Sequence, residues 1–122
     1  MGDDKAYGRS GEEAAVRYLR RKGYRILTRN FRNRLGEIDI VARHKGVLVF
    51  VEVKARRCLD YGHPKLAITP RKIRTLSLVA LAYLKAHASP QTPARFDVVT
   101  VQDLADRTEI EIFTNAFEPV YP

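Results

Sequence analysis

The sequence has a single cysteine, Cys58, so no disulfide can form within the chain. Its three histidines are scattered and lack zinc-ligand spacing, which excludes a zinc module. No apolar run approaches the roughly 18 residues that cross a bilayer, and residues 1–10 contain no apolar segment typical of a secretory signal. We therefore predict a cytoplasmic protein with no membrane partner.

Low-complexity stretches, internal repeats and long linkers are also missing from the 122 residues. Hydrophobic residues make up 45% of the chain and charged residues 30%, a balance typical of a folded globular protein rather than a disordered one. A chain of this length needs no subdivision. We predict one domain that spans residues 1–122.

Acidic residues are absent between positions 14 and 36, where eight residues are basic. From Asp97 onward six acids accompany only Arg107, and the whole chain carries a net charge of +8. This asymmetry predicts one electropositive face, which is typical of proteins that bind a polyanion. A solvated surface that favours solubility explains the charge equally well, so charge alone does not decide.

The hydrophobic pattern predicts an α/β protein with the element order α-β-β-β-α-β-β and a mixed five-stranded sheet flanked by helices. Ser10 and Glu13 have capping-box spacing and predict the start of the first helix, which Gly23 ends. Thr69 is the predicted N-cap of a second helix that runs to about residue 87. Strands are predicted over residues 24–31, 37–43, 47–54, 95–101 and 107–114.

One acid of the first helix lies on its apolar side. Helical spacing puts Ala15, Val16 and Leu19 on one stripe, and Glu12 falls at the centre of that stripe. Glu13 falls on the polar side and is interpreted as a surface ion-pair residue. Glu12 therefore points toward the interior, although an acid near a helix start also interacts well with the helix dipole without further function.

The strand VLVFVEVK is apolar on both faces at its start, which is typical of a central strand, so Glu52 and Lys54 are predicted at its buried end. The alternative is a same-face ion pair, which contributes little to stability. On the preceding strand, Asp39 shares one face with Glu37 and Val41, and Ile38 shares the other with Ile40. A cap at the strand start is the alternative for both acids.

A hairpin in which Arg43 pairs with Leu48 would place Asp39 opposite Glu52 and Glu37 opposite Lys54. Glu12 joins them if the first helix packs on that face. Carboxylates gathered in a low-dielectric place repel one another unless a cation compensates. Oxygen ligands without sulfur or imidazole favour Mg²⁺ or Mn²⁺.

Asp39, followed after twelve residues by the run Glu52-Val53-Lys54, resembles the PD-(D/E)xK nuclease signature, with Ile38 where that signature often has proline. The longer run GRSGEEAAVRYLRRKGYRILTRNFRNRLGEIDIVARHKGVLVFVEVKARR, together with RFDVV, resembles the YraN-type family of small bacterial proteins. The similarity covers nearly the whole chain.

This resemblance implies a restriction-endonuclease-like fold, similar to archaeal Holliday-junction resolvases, and a metal-dependent endonuclease. The implied substrate is nucleic acid, with DNA favoured over RNA, including branched or repair and recombination intermediates. The implied metal ligands are Glu12, Asp39, Glu52 and the carbonyl of Val53, and the implied role of Lys54 is to act on the attacking water. Glu37 is assigned a supporting position beside the ligands, and a homodimer is expected by analogy.

Basic residues follow the strand that carries Glu52 and Lys54, or lie at the start of the second helix, where cations and free backbone amides can bind phosphate. These predicted nucleic-acid contacts are Arg56, Arg57, Lys65, Arg71, Lys72 and Arg74. Taken singly, each of these residues is more often a solvated surface cation than a phosphate contact. Two other functions stay open: a nucleic-acid-binding module of the same fold without turnover, and an interaction protein for acidic partners that never touches nucleic acid.

Overall fold

The computed structural model describes residues 2–57 and 68–121, with side chains described over residues 10–55 and 68–121. The chain forms two helices and five strands in the predicted order. They are α1 (Gly2–Arg21), β1 (Arg25–Asn33), β2 (Gly36–His44), β3 (Val47–Arg57), α2 (Pro70–His87), β4 (Ala94–Asp103) and β5 (Thr108–Phe117). Cys58 and Lys65 lie outside the described residues.

The five strands form one sheet in the order β1-β2-β3-β4-β5. Neighbouring strands are antiparallel except β3 and β4, which run parallel. A parallel pair needs a crossover connection, and α2 lies in that connection. The predicted α/β class and mixed sheet are confirmed, and the architecture is consistent with a restriction-endonuclease-like fold.

Each face of the sheet is covered by one helix, which gives two apolar clusters. On one face α1 packs Ala15, Val16 and Leu19 against the β3 residues Val49 and Val51, and all five are buried. The helix stripe predicted from the spacing is confirmed. On the other face, α2 packs its own apolar residues against the opposite side of β2, β3 and β4.

The start of α1 differs from the prediction. The helix begins at Gly2, so Ser10 lies inside it and does not form the predicted capping box. Residues 2–9 contain no proline and carry early acids that favour a helix start, so nothing forces the helix to begin later. Gly11 lies inside this helix, where it allows α1 to approach β3 closely. A Cβ at this position would lie 2.7 Å from the Cβ of Ala55 on β3.

Left-handed backbone positions fix two chain reversals. Gly23, with a φ of 91°, follows the end of α1 as predicted. Lys45 and Gly46 have φ values of 50° and 81° and form the two-residue turn between β2 and β3. This turn sets the predicted register, in which Arg43 pairs with Leu48.

A buried polar network ties distant parts of the fold together. Asp97 on β4 is fully buried and accepts hydrogen bonds from the hydroxyl of Tyr24 at 2.8 Å and from Nε of Arg95 at 2.9 Å. The amide of Asn115 on β5 donates to the same carboxylate at 2.9 Å. Tyr24 also stacks on His44, with ring centroids 4.0 Å apart. The network therefore joins β2, β4, β5 and the segment after α1.

In the part of the chain that the structure describes, neither helix combines the length and the apolarity needed to cross a membrane.

Candidate active site

The alternation of β2 is interrupted at Asp39. Ile40 belongs to the cluster under α1, whereas Ile38 belongs to the cluster under α2. The prediction that these two residues share a face is therefore wrong. Asn30, which lies across from Asp39 in the β1–β2 register, adopts a left-handed conformation with a φ of 56°. Asparagine tolerates this conformation better than most residues. The paired irregularity changes which side chains of the hairpin face each helix.

The β2–β3 ladder ends where Ile40 pairs with Val51, and the next residues on the two strands are Asp39 and Glu52. Oδ2 of Asp39 accepts a hydrogen bond from the backbone amide of Val53 at 2.8 Å. The negative charge of Glu52, whose side chain is only 7% exposed, acts on the Asp39 carboxyl. The structure thus brings these two acids together, as the register predicts.

The environment of Asp39 favours its neutral form. Burial raises its pKa from 3.8 to about 8, and the negative charge of Glu52 is the second cause. The hydrogen bond from Val53 opposes the rise, and the charge of Glu12 adds to it. A buried carboxyl whose pKa is strongly raised beside a second acid is typical of functional sites.

Two lysines approach the same oxygen of Glu52. Nζ of Lys54 lies 3.7 Å from Oε2, and Nζ of Lys72, from the first turn of α2, lies 3.6 Å from it. The ion-pair alternative for Glu52 and Lys54 is therefore realised, but on a buried carboxylate rather than a solvated one. Glu52 and Lys54 face α2, which positions Lys72 over the pair.

Glu12 is held apart from this pair. Its side chain is 15% exposed, and Oε1 accepts from Nη2 of Arg29 at 2.9 Å and from Nδ2 of Asn30 at 3.1 Å. The same Arg29 nitrogen lies 2.7 Å from Oε1 of Glu13, so Glu13 pairs with β1. Glu12 lies well inside α1, where the helix dipole has little effect, so that alternative fails.

The expected gathering of three carboxylates is not present among the described residues, where no three acid, histidine or cysteine side chains lie close enough to hold a metal. The physical reason is that α1 packs on the face opposite Glu52. Glu12 nevertheless lies near enough to Asp39 for its charge to act on that carboxyl.

Glu37 forms an ion pair with Arg32, its partner on β1, at 3.8 Å between Oε2 and Nε. Within the described part of the β2–β3 ladder, Glu37 has no pairing with Lys54, because the strands separate after Ile40. Glu37 is 40% exposed. Among the described residues Glu37 thus pairs with β1, and its supporting position beside the ligands stays a prediction.

The predicted basic flank is only partly visible. Arg71, Lys72 and Arg74 are exposed at the start of α2, which Thr69 caps as predicted by accepting from the amide of Lys72 at 3.1 Å. The side chains of Arg56 and Arg57 and the whole of Lys65 lie outside the described residues.

The sequence matches the model of the Uncharacterised protein family UPF0102 over residues 11–101. The chain belongs to the UPF0102 family. A UPF0102 protein of Geobacter sulfurreducens is 51% identical over 119 residues, which cover 97% of this chain and 93% of the relative. Another from Desulfosudis oleivorans is 50% identical over 112 residues, which cover 92% and 89%. The YraN-type resemblance is thereby confirmed, and the names of these relatives assign no activity.

The residues of this UPF0102 chain fit a divalent cation in part. Asp39 and Glu52 supply hard oxygen donors at the adjoining positions of β2 and β3, and the lysines approach Glu52, whereas the raised pKa of Asp39 shows that a negative charge on its carboxyl is poorly stabilised. Mg²⁺ typically takes one or two protein carboxylates and completes its coordination with water and phosphate. Two carboxylates are therefore a protein contribution of the kind that Mg²⁺ accepts.

The sequence interpretation of this UPF0102 chain missed three residues, two beside Glu12 and one in the buried polar network. Arg29 and Asn30 sit in a strand rich in basic residues, and nothing in the spacing identifies them as partners of Glu12. Asp97 could have been found, because an acid inside the apolar run RFDVVTV must be buried and paired.

Proposed function

We propose that this protein is a metal-dependent endonuclease that hydrolyses phosphodiester bonds in nucleic acid, with DNA favoured over RNA. The observation that carries the proposal is the pair of carboxyl groups, Asp39 and Glu52, at the point where β2 separates from β3. A buried acid pair beside lysine costs folding energy, so it is retained for a reason other than stability. Branched and repair or recombination intermediates are the substrates we favour.

Asp39, Glu52 and the carbonyl of Val53 would hold Mg²⁺ or Mn²⁺, which would neutralise the acid pair and stabilise charge on the phosphate. Lys54 would orient the attacking water, because its ammonium group is fixed beside Glu52 with 21% of its side chain exposed. Lys72, on α2, would offset part of the negative charge of Glu52 and would also contact a phosphate of the substrate. Glu12 joins the ligands in this proposal only after it leaves Arg29.

Arg71 and Arg74 would follow the backbone of the substrate, since both are exposed near the N-terminus of α2. Arg56, Arg57 and Lys65 remain proposed contacts on sequence grounds alone. The net charge of +8 supports association with a polyanion. A cytoplasmic location and a homodimer are further parts of the proposal.

The deciding experiment incubates the purified protein with branched, flapped, single-stranded and duplex substrates in Mg²⁺ or Mn²⁺. We expect cleavage of at least one substrate, and a loss of at least about a hundredfold in rate for Asp39→Asn and Glu52→Gln. Glu109→Gln, an exposed acid paired with Arg107, is the matched control and should cut like the parent. If all four proteins cut equally, a contaminant is responsible and the proposal fails.

A nucleic-acid-binding module without turnover is the second candidate, because Glu12 is bound to Arg29 and the described residues contain no complete three-acid group. This candidate predicts salt-sensitive binding that survives the double change Asp39→Asn and Glu52→Gln. Titration calorimetry would then detect no Mn²⁺ site in the parent protein. Cleavage that depends on both acids would exclude it.

A further inference from the structure

One terminal nitrogen of Arg29 serves two acids. Nη2 lies 2.9 Å from Oε1 of Glu12 and 2.7 Å from Oε1 of Glu13. Nε of the same guanidinium is buried and has no acceptor among the described residues. An arginine normally presents two nitrogens side by side to a carboxylate or a phosphate. In the free protein Arg29 therefore does not use its two neighbouring nitrogens, Nε and Nη2, as a bidentate donor.

The surroundings of Arg29 are open to a larger ligand. Glu12, Glu13, Arg29, Asn30 and Arg32 line a groove of about 550 Å³. The Arg29 side chain is 33% exposed, so it can be reached from solvent. The groove lies on the β1–β2 hairpin that carries Asp39, and the charge of Glu12, which lines the groove, acts on the Asp39 carboxyl. A nucleic-acid strand that places one phosphate at the acid pair would bring a neighbouring phosphate to this groove.

We propose that Arg29 is a phosphate-binding residue that Glu12 and Glu13 occupy in the free protein, and that its transfer to a substrate phosphate releases Glu12 to the divalent cation. This inference rests on the proposed function. A phosphate can accept from Nε and a terminal nitrogen together, which satisfies the buried nitrogen that now lacks an acceptor.

The released carboxylate is near the place where it is needed. Glu12 already acts electrostatically on Asp39, and in the free protein its charge is compensated by Arg29 rather than available to a cation. Substrate binding would therefore add a third acid to the site. By linkage, nucleic acid and the divalent cation would each strengthen the binding of the other.

The test measures Mn²⁺ affinity by titration calorimetry in the absence of nucleic acid. We expect Arg29→Gln to bind Mn²⁺ about tenfold more tightly than the parent, since a charge-assisted hydrogen bond on Glu12 is lost. Arg32→Gln removes a neighbouring positive charge from the same groove and should leave the affinity within about twofold of the parent. In a Glu12→Gln background, Arg29→Gln should no longer tighten Mn²⁺ binding.

A second arm tests the coupling with substrate. In a Lys54→Met background, used to prevent cleavage, a short duplex should tighten Mn²⁺ binding several-fold, and Arg29→Gln should abolish this effect while weakening duplex binding. If Arg29→Gln does not fold, Arg29→Lys carries the test, because it keeps the charge but loses the fork and should give an intermediate Mn²⁺ affinity.

The outcomes separate this inference from the function on which it rests. Equal or weaker Mn²⁺ binding by Arg29→Gln, with normal binding by the parent, would overturn the Arg29 exchange and leave the nuclease proposal intact. Absence of Mn²⁺ binding by the parent, both with and without duplex, would overturn both proposals.

Discussion

Asp39 and Glu52 are the first residues beyond the last pair of the β2–β3 ladder, and the charge of Glu52 raises the pKa of the Asp39 carboxyl. The pKa of Asp39 is about 8 in the folded protein and 3.8 in its ordinary state. Between these values the folded protein holds a proton that the unfolded chain has released. Asp39 therefore makes the free energy of unfolding fall as pH rises from about 4 to about 8, and adds no slope outside that window.

Asp39→Asn should remove this decline. In EDTA the variant should be more stable than the parent at pH 8 by roughly 1–3 kcal/mol, and the difference should shrink toward pH 4. Urea denaturation across this pH range measures the effect. Asp106→Asn changes a 75% exposed acid and should leave the parent slope unchanged. Parallel pH profiles for Asp39→Asn and the parent would contradict the prediction.

The two lysines on Glu52 should differ in their contribution to cleavage. Lys54→Met should slow single-turnover cleavage by about 10²–10³-fold, because Lys54 is the more enclosed and the better placed for the attacking water. Lys72→Met should cost about tenfold or less, since the Lys72 side chain is 45% exposed and less firmly positioned. Lys85→Met, at the far end of α2, is the control. A larger loss for Lys72→Met would reverse the assigned roles.

Much of the fold follows from the sequence, because its patterns are local. The second helix follows from Thr69 and Pro70, and the hairpin register follows from the turn that precedes Val47, since neither depends on distant contacts. The predicted start of α1 was wrong. Ser10 and Glu13 have the spacing of a capping box, but the helix continues through Ser10 to Gly2. The packing of α1 on the face opposite Glu52 is a tertiary contact that no local pattern encodes.

The site was predictable to the extent that strand pairing controls it. Asp39 and Glu52 meet because the register brings them together. Arg29 contacts Glu12 next to Asn30, whose left-handed backbone interrupts the alternation of β1. A periodic sequence pattern does not encode such an interruption. Lys72 reaches Glu52 through the packing of α2, a tertiary contact with no local signal.

The network around Asp97 should support stability rather than activity. Asp97→Ala should lower the free energy of unfolding by about 3–5 kcal/mol, because it leaves Arg95 partly buried without its carboxylate. Tyr24→Phe keeps the Asp97–Arg95 pair but removes the hydrogen bonds that the Tyr24 hydroxyl donates to Asp97 and accepts from Arg95, so it should cost less, about 1–2 kcal/mol. Urea denaturation checks both. Asp103→Asn, which alters an exposed hydrogen bond with Thr108, is the control. If Asp103→Asn lowered the free energy of unfolding as much as Asp97→Ala, this account would be contradicted.

The close approach of α1 to β3 at Gly11 should limit what the helix tolerates there. Gly11→Ala gains helix propensity of about 1 kcal/mol, but its Cβ would lie 2.7 Å from that of Ala55, so we expect a net loss of roughly 1–3 kcal/mol. Ser10→Ala, exposed on the same helix, adds no atoms to the interface and should not destabilise the protein. Ala55→Gly should restore most of the loss in the double variant, because it removes the opposing methyl group. A double-mutant cycle by urea denaturation measures this coupling, and purely additive effects would show that the helix moves freely away from the sheet.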